Sequence, residues 1–170
     1  TCTKDGFLRI SSMVARQRDA LTGTPNRTLM QDRLNKAIAN AHRRGARIAL
    51  LFLDIDEFKT INDSKGHSVG DEVVQAVARR LQSVVRDADS VSRHGGDEFL
   101  ILLADISQVS DAALIAEKIL LAIAEPMLIQ GHELIVSVSL GISIFRMMVK
   151  MLRCLLSAPM KPCMSLKERN

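Results

Sequence analysis

Apolar positions recur along this chain with two different periods, and the switches between them mark its elements. From Asn26 to Arg44 the apolar residues are Leu29, Met30, Leu34, Ala37, Ile38 and Ala41. They fall three and four apart, the spacing of one helix face. The period returns from Asp71 to Val85, through Val73, Val74, Val77, Ala78, Leu81, Val84 and Val85. Asp71 stands where a helix N-cap is expected. Val109 to Ala124 reads as a third helix. Short runs of β-formers predict strands at 47–54, 90–94, 98–103, 126–129 and 134–144, with Gln130-Gly131-His132 as the hairpin turn between the last two. The run Leu50 to Leu53 is too short to span a membrane and suits a central strand.

Chemistry enters at the ends of two of these strands. The central run finishes in alternating carboxylates, Asp54-Ile55-Asp56. Downstream, Gly95-Gly96-Asp97-Glu98-Phe99 joins two strand segments. Adjacent glycines suit a tight hairpin turn, because they tolerate positive φ. An acidic pair just after such a turn is held outward on a rigid strand end. If the two strands are neighbours, Asp54 and Asp97 converge, and carboxylates that close repel unless a cation neutralises them. Mg²⁺ (or Mn²⁺) held by one or two carboxylates together with substrate phosphates is the common solution. Lys59 offers a point charge for phosphate. Asn62 and Asp71 carry the groups that read a guanine edge: the amide meets its acceptors and the carboxylate its donors.

These stretches together resemble the GGDEF family of diguanylate cyclases. The matching residues are Asp19-Ala20-Leu21-Thr22-Gly23, Asn26-Arg27, Phe52 to Lys59, Asn62-Asp63, Gly66-His67, Gly70-Asp71, and Arg93 with Gly95 to Phe99. They run in order through residues 19–145. The resemblance implies an α/β (α+β) fold, with a mostly antiparallel central sheet flanked by helices in the palm, nucleotidyl-cyclase-like manner. It implies condensation of two GTP molecules into cyclic di-GMP with release of pyrophosphate, in a homodimer whose two sites face each other. Carried over by position, Asp54, Asp97 and the backbone carbonyl of Ile55 would bind Mg²⁺. Glu98 would be a further metal ligand or the general base beside the attacking 3′-hydroxyl. Asn62 and Asp71 would hold guanine, and the Phe58 backbone and Lys59 would meet the phosphates. Gly95 and Gly96 would leave room for the nucleotide. Arg86-Asp87-Ala88-Asp89 has the Arg-x-x-Asp form of the family's product-inhibition site, which makes Arg86 and Asp89 the expected inhibitory pair.

Other readings fit less well. Asp-x-Asp after an apolar strand also occurs in aspartate-nucleophile phosphatases, but these want Thr or Val where Phe58 stands. A calcium loop would need an oxygen ligand at position 58 and a nearby Gly. A non-catalytic domain that binds GTP or cyclic di-GMP remains the main alternative. A purine cyclase or nucleotidyl transferase of other base preference is the second. The chain has no Trp or Tyr and only five Phe, so stacking platforms for single-stranded nucleic acid are missing and no nucleic-acid partner is expected.

Residues 1–18 read as the tail of a connecting helix from an upstream module, and the whole as a cytoplasmic fragment without membrane contact of its own. Its parent protein would be soluble or held at the inner membrane. After Phe145 the motif resemblance ends. Residues 146–170 hold six Lys/Arg and one acid, a net of +5 out of the chain's +4, which leaves −1 for residues 1–145. The basic balance therefore belongs to the tail and is no nucleic-acid signal. The tail is expected to be loosely packed or disordered, since Pro159 and Pro162 interrupt any helix there. Lys167 is the nearest candidate for the family's phosphate-binding lysine.

A shifted reading frame accounts for this tail, as a hypothesis. With suitable codons, Arg146 to Cys154 shifted by one nucleotide reads Pro-Asp-Asp-Gly-Lys-Asp-Ala-Glu-Val. In the same frame, Ser157 to Met164 reads Arg-Ala-Asp-Glu-Ala-Met-Tyr. Both resemble the family's continuation. Source DNA without an insertion or deletion near codon 146 would remove the hypothesis.

Overall fold

The central strand is apolar on both faces because helices cover both. The structure, a computed structural model, describes residues 17–145. β1 (Arg47–Ile55) lies between β3 (Glu98–Ile106) and β6 (Val138–Phe145), and β2 (Ser90–Gly95) flanks β3, giving the order β2-β3-β1-β6. Every neighbouring pair is antiparallel. Ala49, Leu51, Leu53 and Ile55 point to one side, where they pack with Phe99, Ile101 and Leu103 against α3 (His67–Val84) and α4 (Val109–Ala124). Ile48 and Leu50 point to the other, with Leu100 and Leu102 beneath α1 (Arg27–Arg44). Period-two alternation thus assigns each strand residue to one layer.

The helix ends follow local chemistry. The Asn26 side chain accepts from the Leu29 amide at 3.1 Å and so caps α1. Gly45, at φ 66°, closes that helix in the left-handed region that favours glycine. Gln108 and Asp111 form a reciprocal capping box on α4.

Three expectations need correcting. Asp71 is not an N-cap: α3 begins four residues earlier, at His67, with Gly66 as its cap, and Asp71 lies inside the helix. The apolar period is silent there, because His67 and Ser68 are exposed. A short helix, α2 (Phe58–Lys65), precedes it and was not read from the pattern; it contains no fully buried residue to give one. The strand expected at 134–144 is two strands. β5 (His132–Leu134) pairs with β4 (Met127–Ile129) in a separate two-stranded sheet, while β6 joins the main sheet. Residues 135–137 cross between the sheets, with Ile135 exposed, Val136 buried and the Ser137 carbonyl accepting from the Asp56 amide. The β4–β5 turn has positive φ at both Gln130 and Gly131, the primed geometry of a two-residue hairpin. No helix among the described residues is long and apolar enough to cross a membrane. Residues 1–16 and 146–170, with the expectations for the tail, Lys167 and all but the last two residues of the connecting helix, lie outside the described residues; of those two, Arg18 pairs with Pro25 in an isolated antiparallel bridge.

Candidate functional site

Register delivers the acidic residues to one place. Asp54, next to last in β1, stands opposite Glu98 on β3 and opposite Ser139 on β6. It belongs to the α1 side of the sheet by parity, yet it is exposed. Across the β2–β3 hairpin Gly95 pairs with Glu98, so the turn itself is Gly96-Asp97. Asp97 therefore sits in the turn, not on the strand after it, and of the two glycines Gly96 has the positive φ, at 49°. A Cβ at either glycine would meet nothing within 4 Å, so the hairpin backbone is open on that side.

The Asp97 turn and the Asp54 strand end are neighbours, close enough for the Asp97 charge to act on the Asp54 carboxyl. Partial burial, then the charges of Asp97, Glu98 and Asp56, push the Asp54 carboxyl above the usual aspartate range. The Asp56 carboxylate accepts from the Ser139 hydroxyl at 2.7 Å and is tied to β6. Among the described residues no three His, Cys, Asp or Glu side chains form a ready-made metal cage. Carboxylates gathered at a strand end without a full protein cage are the kind of donors that a hard cation uses when phosphate oxygens complete its shell.

β1 turns directly into α2 at this end. Glu57 makes the corner at φ 53°, an uncommon conformation for a residue with a Cβ, and its side chain does not cap α2. The first amides of α2, at Phe58 and Lys59, therefore have no side-chain acceptor from Glu57. Lys59 is exposed, while Phe58 is half-buried and packs on the core. Asn62 lies one turn further along α2. Gly66, at φ 88°, ends α2 and begins α3, and the exposed Asp71 follows in the second turn of α3.

Arg86 and Asp89 occupy the loop before β2. Arg86 is exposed. Asp89 is buried, and its two carboxylate oxygens accept from the Arg86 amide at 3.2 Å and the Ala104 amide at 3.0 Å. The carboxylate therefore holds the loop together, whatever else it meets.

One set of residues near the site had no assigned role. The Arg93 guanidinium donates to the Gly96 carbonyl at 2.9 Å and to both carboxylate oxygens of Asp19 at 3.3 and 3.4 Å. The Arg93 amide donates to the fully buried Thr24 hydroxyl at 3.2 Å. Asp19 also accepts from the Thr22 amide and hydroxyl at 2.9 and 2.8 Å. Burial opposes ionisation of Asp19, but the Thr22 bonds and the Arg93 charge outweigh it and hold its carboxyl below the usual range. The hairpin is thereby fastened to the segment before α1. Asp19-x-x-Thr22 is a local turn signature that could have been found; its partner 74 residues away could not.

Comparison with known proteins places this geometry. The family model described as diguanylate cyclase, GGDEF domain, matches residues 16–160, past Phe145 where the motif resemblance ends. The chain belongs to the GGDEF family. A bifunctional diguanylate cyclase/cyclic di-GMP phosphodiesterase, MucR of Pseudomonas aeruginosa, is 45% identical over 127 residues, covering 75% of this chain and 18% of that protein. The GGDEF domain of TpbB from the same organism superposes with a TM-score of 0.74 at 38% identity, over 75% of each chain. The coiled coil and GGDEF domain of DgcB from Caulobacter crescentus, solved with c-di-GMP, gives 0.76 at 28% identity, over 84% of this chain and 78% of that one. The mostly antiparallel sheet flanked by helices is thus the GGDEF fold. The chain spans less than a fifth of the length of MucR.

Proposed function

We propose that this GGDEF domain is a diguanylate cyclase, condensing two GTP molecules into cyclic di-GMP in a homodimer. The observation that carries the reading is the gathering of carboxylates at one sheet end: Asp54 stands opposite Glu98, and the charges of Asp97 and Glu98 raise its carboxyl. Asp54, Asp97, Glu98 and the Ile55 carbonyl would hold Mg²⁺ or Mn²⁺, which supplies charge neutralisation at the triphosphate and a more acidic 3′-hydroxyl. Asn62 and Asp71 hold guanine. The amides of Phe58 and Lys59 and the Lys59 ammonium meet the phosphates, and Lys167 is a further candidate for that role. The open side of Gly95-Gly96 admits the nucleotide.

In each half-reaction a 3′-oxygen attacks the α-phosphorus of the facing GTP. A P–O bond forms, the bond to the leaving pyrophosphate breaks, and Glu98 takes the hydroxyl proton. Two such steps close the ring and release two pyrophosphates. One domain offers one GTP site, so the product requires two domains face to face. Arg86, exposed beside the buried Asp89, would receive the product as inhibitor, with the guanidinium binding phosphate or a guanine edge.

The test is incubation of the purified chain with GTP and Mg²⁺, with chromatographic detection of cyclic di-GMP and Asp97→Ala as control. Product that disappears in the control supports the cyclase. A folded chain that binds GTP without turnover supports the second reading, a GTP or cyclic di-GMP receptor, which the altered residues 146–170 favour.

A further inference from the structure

Gly70 is a glycine that its backbone does not require. It lies in α3 without positive φ, where alanine is the better helix former. Eight glycines fall among the described residues, and at seven a Cβ would meet nothing within 4 Å. At Gly70 a Cβ would stand 2.0 Å from Asn62 Oδ1, 2.9 Å from its Cγ and 3.3 Å from Phe58 Cζ. The space a side chain would fill is already filled by the Asn62 amide, laid against the α3 backbone with the Phe58 ring edge as a second wall. Gly70 itself is buried, so the amide is not free to swing through that side. The next residue is Asp71, the other proposed base reader.

We infer that Gly70 is a positioning residue for base selection: its missing side chain is the notch that fixes the Asn62 amide in the orientation that meets guanine beside Asp71. The inference rests on the base-reading role proposed above for Asn62. A methyl group at Gly70 turns the amide out of that orientation. Asp54, Asp97 and Glu98 belong to the sheet and its hairpin, and the methyl meets Phe58 only at the ring edge, far along the side chain from its amide, so the loss falls on discrimination between bases more than on triphosphate binding.

The experiment measures binding of the α,β-methylene analogues of GTP and ATP, which cannot release pyrophosphate, by titration calorimetry with Mg²⁺. The full chain is compared with Gly70→Ala, Asn62→Ala and the double variant. Gly70→Ala should weaken the guanine analogue tenfold or more and leave the adenine analogue within twofold. Asn62→Ala should give a similar loss, and adding Gly70→Ala to it should cost nothing further, since the group in the way is gone. Thermal melting supplies a second readout. Gly70→Ala should lower the melting temperature in the native background and raise it in the Asn62→Ala background, where the gain in helix propensity faces only the approach to the Phe58 ring edge.

An unchanged guanine preference in Gly70→Ala, with Asn62→Ala impaired, overturns the inference alone. So does a melting change of the same sign in both backgrounds. An unchanged preference in Asn62→Ala, or none in the native chain, overturns the base-reading role as well.

Discussion

Two aspartates bracket the β2–β3 hairpin, and their carboxyls are displaced in opposite directions. Asp19 is satisfied: it accepts from Thr22 and Arg93, its charge is matched, and its acidity is increased. Asp54 is unsatisfied: it meets Asp97, Glu98 and Asp56, all of its own sign, and its acidity is reduced. The first arrangement lowers the free energy of the folded chain. The second raises it, and is held in place by a sheet register that fixes Asp54 opposite Glu98. A fold that spends stability to gather like charges at a strand end, while pairing an equivalent charge nearby, separates a site from its fastening.

Substitutions can break this contrast. The largest effect is expected on turnover: Asp97→Ala should lower cyclic di-GMP formation by about 100-fold or more, measured under saturating GTP and Mg²⁺. Asp19→Ala should instead unfold the domain more easily, by about 3 kcal/mol or roughly 6–12 °C in melting temperature at pH 7. Asp19 has a lowered value in the folded chain, so its contribution is present above the ordinary 3.8 and is lost as pH falls through the lowered value. The gap between the native chain and Asp19→Ala should therefore narrow below that pH. Equal melting curves at pH 7 would show that the Asp19–Arg93 tie is idle.

The inhibitory pair should divide in the same way. Asp89→Ala leaves two backbone amides without an acceptor and should cost about 2 kcal/mol, roughly 4–8 °C in a thermal melt. Arg86→Ala should move stability by no more than about 0.5 kcal/mol while relieving inhibition by added product. A last, small effect has the opposite sign. Asp54→Asn should raise the metal-free melting temperature by roughly 1–3 °C at pH 7, because the site is open to solvent and its repulsion is screened. The raised carboxyl favours the fold below 3.8 and loses that benefit as pH rises through its folded value, so the gain should vanish in acid. A fall in melting temperature at pH 7 would mean that Asp54 has a stabilising partner.

Much of this was legible in the chain because buried elements carry period. α1 and α4 were bounded from their apolar residues to within a residue, and the runs 47–54, 90–94 and 98–103 located β1, β2 and β3, with β3 three residues short at its end. The pairing of β1 with β3, which gathers Asp54, Asp97 and Glu98, followed from reading both runs as strands of one sheet. What escaped has little apolar signal or depends on distant partners. α2 is polar and its burial is partial, so nothing in its pattern distinguishes it from a loop. Asp71 looked like a cap because the two residues that open α3, His67 and Ser68, are exposed and hid the true start at Gly66. The break between β5 and β6 was masked by a β-rich run, Ile135 to Ser139, that alternates straight through the crossing. The Arg93–Asp19 pair joins the start of the domain to its middle, 74 residues on, and no local pattern announces it.

The shared glycine between α2 and α3 sets a rule about length. Gly66 terminates one helix and opens the next with no linker residue between them. Asn62 and Asp71 are therefore spaced by helical turns on both sides of a single vertex. One residue inserted into α3 ahead of Asp71 would rotate its carboxylate by about 100° around the helix axis, and one deleted would rotate it the other way. The ten residues from Asn62 to Asp71 can therefore be inherited, grafted or redesigned only as a block of fixed length.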